Sequence, residues 1–286
     1  PGGGNDVLGR AIANMMEKEK LLPVRMVVVN KPGGNGAVAA AAISEKKDDP
    51  HTIGLITSVW IAGPLTTSEA KITLHDLKPI VQLVREPAVF AVRADSPFKT
   101  LKEFIDAAKA KPGSLRQSGG SITSRDNIVR LSMQHATGAK WAFVSFPGGG
   151  ERLAALLGGH VDIMVIEPQE AGEQVRAGKL RVLAQLSEAR LPGYPDVPTL
   201  KEAGYDVTTT PQIRAVVAPP QMSAEAARYW EDLFTRLHGT ASWKKYLADN
   251  QLEDSFLHAA QLRQSIMDTE KLLREQYQLA GIKTVR

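Results

Sequence analysis

Along the chain, short apolar runs alternate with longer stretches whose apolar positions recur at spacings of three and four. The runs at 24–29, 52–56, 80–84, 88–92, 115–118, 141–144, 161–166, 180–186 and 213–218 predict strands. Between and after them, helices are predicted through Val7, Leu8, Ile12, Met15 and Met16, then over 37–43, 101–108, 127–136, 151–157, 224–238, 243–249 and 259–279. Thr100 and Glu103 form a capping box before one of these helices, and Thr199 and Glu202 form a second, closed by Gly204. Strands taking turns with helices imply α/β layers with mainly parallel sheets. The extended stretches at 93–98 and 208–211 read as two crossings of a hinge. The chain then divides into one discontinuous lobe, 1–95 with 214–286, and a second lobe, 96–213, with a ligand expected between them.

Three times a Pro-Gly-Gly turn opens an Ala/Leu-rich segment, at Pro1, Pro32 and Pro147. Such a turn lets backbone approach a ligand closely and aims the unpaired N–H groups of a helix start at it, which favours an anion. The second and third turns follow apolar runs, whereas nothing precedes Pro1, so strand residues upstream of it are expected. The start also lacks an initiator Met and a charged-then-apolar leader, as in a trimmed product.

Composition narrows the chemistry. With 286 residues, about two domains are expected at roughly 150 residues each. The 43% hydrophobic and 23% charged content is that of a globular protein, and no apolar run approaches the length needed to span a bilayer. The +4 charge, from 35 basic and 31 acidic residues, is too small and dispersed for nucleic acid. Without cysteine there are no disulfides, thiolate metal sites or Cys nucleophiles.

No catalytic constellation emerges. Gly34 to Ala39 matches a Gly-x-Gly-x-x-Ala fingerprint, but the next strand ends in Thr57-Ser58 instead of the acidic residue that a dinucleotide site needs. Ser121 lacks the closing Gly of a nucleophile elbow. The six histidines have no metal spacing. The carboxylates Glu151, Asp162, Glu167, Glu170 and Glu173 read as helix-start or solvated residues. Binding candidates gather instead at strand ends: Gly2, Gly3, Gly4 and Asn5; Ser58 and Trp60; Ser121, Thr123, Ser124 and Arg125; and Gly148, Gly149 and Gly150. Arg214, inside an apolar strand, needs an acidic partner, either a carboxylate of the protein or a ligand.

The segments at 1–6, 30–37, 94–101, 146–151, 156–162 and 196–204 together resemble the extracytoplasmic solute receptors of tripartite tricarboxylate transporters, in order along nearly the whole chain. The resemblance implies a periplasmic, two-lobed type II binding-protein fold and no enzyme activity, cofactor or metal. It also implies a monomer that captures a small di- or tricarboxylate and delivers it to a two-subunit membrane permease. In that family backbone amides, hydroxyls and waters hold the ligand carboxylate, and the matching positions here are Gly2 to Asn5, Ser58, Ser121 to Ser124 and Gly148 to Gly150. Arg214 and Arg125 stand where many members have an aromatic residue and a histidine. Both add positive charge, which puts citrate-like anions first. The alternatives are an α/β enzyme acting on an anionic metabolite and a receptor that presents its ligand to a sensor.

Overall fold

The computed structural model describes residues 4–146, 148–207, 209–210 and 212–285. In chain order these form α1 (Gly4–Lys18), α2 (Ala37–Ser44), β1 (Gly54–Thr57), α3 (Val59–Thr66), β2 (Lys78–Glu86), β3 (Val89–Arg93) and α4 (Leu101–Ala110). There follow β4 (Arg116–Gly119), α5 (Arg125–Thr137), β5 (Ala142–Ser145), α6 (Gly149–Leu157), β6 (Ile163–Ile166), α7 (Pro168–Arg176) and β7 (Leu180–Gln185). The last elements are β8 (Gln212–Ala218), α8 (Ala224–His238), α9 (Ala241–Asn250), β9 (Glu253–His258) and α10 (Ala259–Leu279). They fall into two compact units. One holds Pro1–Glu86, Pro211–Arg274 and Lys283–Arg286, and the other holds Pro87–Thr210 and Glu275–Ile282.

In the first unit the sheet order is β1-β8-β2-β9 and every ladder is antiparallel. This corrects the expectation of mainly parallel pairing. β8 returns from far along the chain and inserts between β1 and β2, and an alternation of strands and helices reads the same whichever way such a strand runs. Leu8, Ile12 and Met16 of α1 pack on Ile80, Val81 and Val84 of β2, with Trp230, Leu233 and Phe234 of α8 and Trp243 of α9 completing the core. The run at 24–29 joins no ladder among the described residues, although it alternates: Val27 and Val29 are exposed, while Met26 packs on the core. β9 lies between two predicted helices, in a stretch for which the sequence predicts no strand.

The second unit has sheet order β5-β4-β6-β3-β7, parallel at β4–β5 and β4–β6 and antiparallel on both sides of β3. Because β3 belongs to this sheet, the first boundary between units falls at Glu86, ahead of the residue 95 expected from sequence. Period-2 alternation buries both faces. Phe90, Val92, Ile163 and Val165 face α4 and α5, while Val89, Ala91, Met164 and Ile166 face α6 and α7. The two crossovers from β4 and β5 explain the layering. β5 lies on one side of β4 and β6 on the other, so right-handed connections place α5 and α6 on opposite faces. The capping box of α4 forms as predicted. Thr199 and Glu202 exchange the same two bonds around a single turn that goes no further as a helix.

Candidate functional site

In the first unit, the end of β1, the start of β8 and the first turn of α1 meet. Asn5 donates through Nδ2 to the Leu55 carbonyl at 3.1 Å, and its Oδ1 accepts from Arg214 Nη1 at 2.7 Å. Gly4 lies so close to the Arg214 guanidinium that a Cβ there would collide with it. Ser58 follows β1 directly and is buried, its hydroxyl accepting from the Ile213 N–H at 2.9 Å. Gly2 and Gly3 lie outside the described residues.

Arg214 finds the acidic partner that its burial demands inside the protein. Nη2 meets Glu86 Oε2 at 2.5 Å, with both side chains less than a tenth exposed. Glu86 ends β2, the strand laddered to β8, so the two residues are brought together by sheet register across 128 positions of sequence. Of the Arg214 nitrogens, Nε is buried without a hydrogen-bond partner.

Trp60, half-buried in α3, lies against Gly36. Gly36 has φ +94°, and any Cβ would enter the indole. The Pro32 turn therefore seats Trp60, shaping its own unit.

In the second unit, the loops leaving β4, β5 and β6 open α5, α6 and α7 at one end of the parallel strands. The β4 loop runs to one face of the sheet and the β5 and β6 loops run to the other. This is the switch-point arrangement at which open α/β sheets take ligands. The β4 loop is built around Asp126, a buried carboxylate that accepts from Gly120 N at 2.8 Å, Asn127 N at 3.1 Å, Arg152 Nη1 at 2.9 Å and the Ser124 hydroxyl. Ser124 is thus turned inward, while Ser121 and Thr123 bond each other at 3.1 Å and Ser121 is exposed. Burial pushes the Tyr277 phenol up to about 12, and its hydroxyl donates to the Thr123 carbonyl at 3.3 Å.

Arg125 opens α5, and its Nη2 donates to Glu167 Oε1 at 2.5 Å. Glu167 is the N-cap residue of α7 yet does not cap that helix. Glu170 lies 3.7 Å from Arg152 and beside Gly149. At Gly148 and Gly150 a Cβ would meet nothing within 4 Å, so the start of α6 is open.

The structure thus brings Gly4, Asn5, Ser58 and Arg214 together in one unit, and Ser121 to Arg125 with Gly148 to Gly150 in the other. Sequence reasoning missed Glu86, Asp126 and Arg152, and it took Glu167 and Glu170 for helix-start or solvated residues. The acidic partner required by Arg214 was the one signal that pointed to any of them. Three histidines pair with carboxylates, His75 with Glu270, His238 with Asp254 and His258 with Glu231. No group of metal-ligating side chains occurs among the described residues, and no described helix is long and apolar enough to cross a membrane.

Two α/β units with donor-rich strand ends are the make-up of the periplasmic-binding-protein fold. Rpa4515 of R. palustris, solved with adipate, shares this fold at TM-score 0.89 and 21% identity, covering 99% of this chain and 94% of that one. Residues 8–279 match the tripartite tricarboxylate transporter family receptor, TctC, and the chain belongs to that family of extracytoplasmic solute receptors, which are not enzymes. A TctC solute-binding protein from Polaromonas is 29% identical at TM-score 0.78, with 97% and 94% of the two chains covered. The UPF0065 protein in the gbd 5′ region of Cupriavidus necator is 31% identical over 94% of this chain and 81% of its own length.

Proposed function

We propose that this receptor works in the periplasm as a monomer, captures a small carboxylate and hands it to a two-subunit membrane permease. The observation that carries the reading is the convergence of three helix starts, α5, α6 and α7, on the switch point of a family receptor. The backbone of Gly148 to Gly150 and the hydroxyls of Ser121 and Thr123 offer donors to a carboxylate in the second unit. Gly4 and Asn5, at the start of α1, and Ser58 gather at the end of β1 in the first. The adipate bound by Rpa4515 is a carboxylate of this size class.

The sequence puts citrate-like anions first because Arg125 and Arg214 add charge. Each guanidinium is met by a carboxylate of the chain, Glu167 or Glu86, so little positive charge is left for a third ligand carboxylate. Dicarboxylates therefore come ahead of tricarboxylates. A thermal-shift panel of mono-, di- and tricarboxylates tests this reading, since a ligand that prefers the native state raises its stability. A rise with dicarboxylates at millimolar concentration is expected, and no rise with any carboxylate would overturn it.

A further inference from the structure

The Arg125–Glu167 pair spans the switch point itself. Arg125 stands on the helix that follows β4, and Glu167 stands at the end of β6, the parallel neighbour whose connection leaves by the other face. Both side chains are largely but not wholly buried, at 15% and 18% exposure. Glu167 leaves its own helix start uncapped to reach across, and its Oε1 accepts from Arg125. On the same helix starts, Arg152 meets Asp126 and lies 3.7 Å from Glu170, which adds one guanidinium and two carboxylates. The cluster thus holds two cationic groups against three acidic ones. A second ligand carboxylate entering here would have to compete with Glu167 for Arg125 and lie beside a like charge. A ligand ammonium would meet in Glu167 a charge-assisted acceptor.

We infer that Glu167 is the specificity-determining residue of this half-site, and that it selects carboxylates bearing an ammonium group over polycarboxylates that lack one. The inference rests on the carboxylate-receptor reading above and names its ligand class. Arg125 keeps Glu167 in place, and Glu167 cancels the charge that Arg125 would otherwise present.

The test is calorimetric titration of the full chain with aspartate and glutamate, succinate and glutarate, malate, and citrate. Wild-type protein is expected to bind the amino dicarboxylates at least tenfold more tightly than succinate and glutarate, with malate between them and citrate weakest. Glu167→Gln should abolish or reverse that order, and Arg125→Gln should weaken succinate more than aspartate. Arg125→Gln gives a second readout should Glu167→Gln fold poorly. If succinate binds the wild type as tightly as aspartate, or if the order survives in Glu167→Gln, the role of Glu167 is overturned while the receptor reading stands. If no compound in the panel binds, the receptor reading itself fails.

Discussion

Removing Glu86 leaves the Arg214 guanidinium buried with nothing to neutralise it. In Glu86→Ala, Nη2 loses its carboxylate at 2.5 Å, Nε is already without a partner, and only Nη1 keeps its bond to Asn5. Breaking a buried ion pair from one side costs about 3–5 kcal/mol, because the remaining charge stays desolvated. Both side chains here are more than nine-tenths buried, so solvent screening gives little relief. At about 2–4 °C per kcal/mol, the melting temperature should fall on the order of 10 °C. Urea unfolding of ligand-free protein, followed by circular dichroism, measures the loss. Arg214→Met, which takes the guanidinium away from the buried Glu86 carboxylate, should also destabilise the protein. The double variant Glu86→Leu with Arg214→Met should recover most of the loss, since apolar replacement of a whole buried pair is often neutral. A loss below about 1 kcal/mol in Glu86→Ala, or a double variant no more stable than either single, would refute the reasoning. The first result would also return Arg214 to the ligand, because a guanidinium that matters only when solute is bound contributes nothing to the empty protein.

Gly36→Ala combines a left-handed backbone angle with a collision against the Trp60 indole, and should destabilise by about 1–3 kcal/mol in the same unfolding assay. Gly150→Ala meets open space, so stability should hold or rise by up to about 1 kcal/mol. Carboxylate affinity should drop because the methyl group blocks close approach to the start of α6, and unchanged affinity would remove α6 from the site. Burial raises the Glu270 carboxyl, but hydrogen bonds from His75 and Arg274 outweigh it and hold the group below its ordinary value. Its stabilisation is therefore complete above about pH 4.3 and lost as pH falls through the lower folded value. The urea midpoint measured against pH should decline in that acidic range, and Glu270→Gln should flatten the decline.

Much of this protein is written locally. The alternation of apolar runs and helical periodicity gave eight of the nine strands among the described residues, because strands buried on both faces, such as β3 and β6, need continuous apolar side chains whatever lies beside them. The Thr100–Glu103 box acts within one helical turn and was equally legible. So was the clustering of small and hydroxyl residues at strand ends, since a Gly-rich turn imposes its backbone on its immediate neighbours. β9 escaped because its residues are at best half-buried, and Phe256 and Leu257 between polar neighbours carry no period-2 signal.

What the sequence could not decide was which distant residues share a place. Strand direction in the first sheet depends on β8 inserting between β1 and β2, a long-range choice made by packing and not by any local pattern. The sequence determined by itself that Arg214 requires an anionic partner, because a guanidinium in an apolar strand is too costly to leave alone. Only the tertiary structure decided that the partner is Glu86, and that Arg125 likewise meets Glu167, because sheet register and crossover handedness set which side chains come within hydrogen-bonding reach.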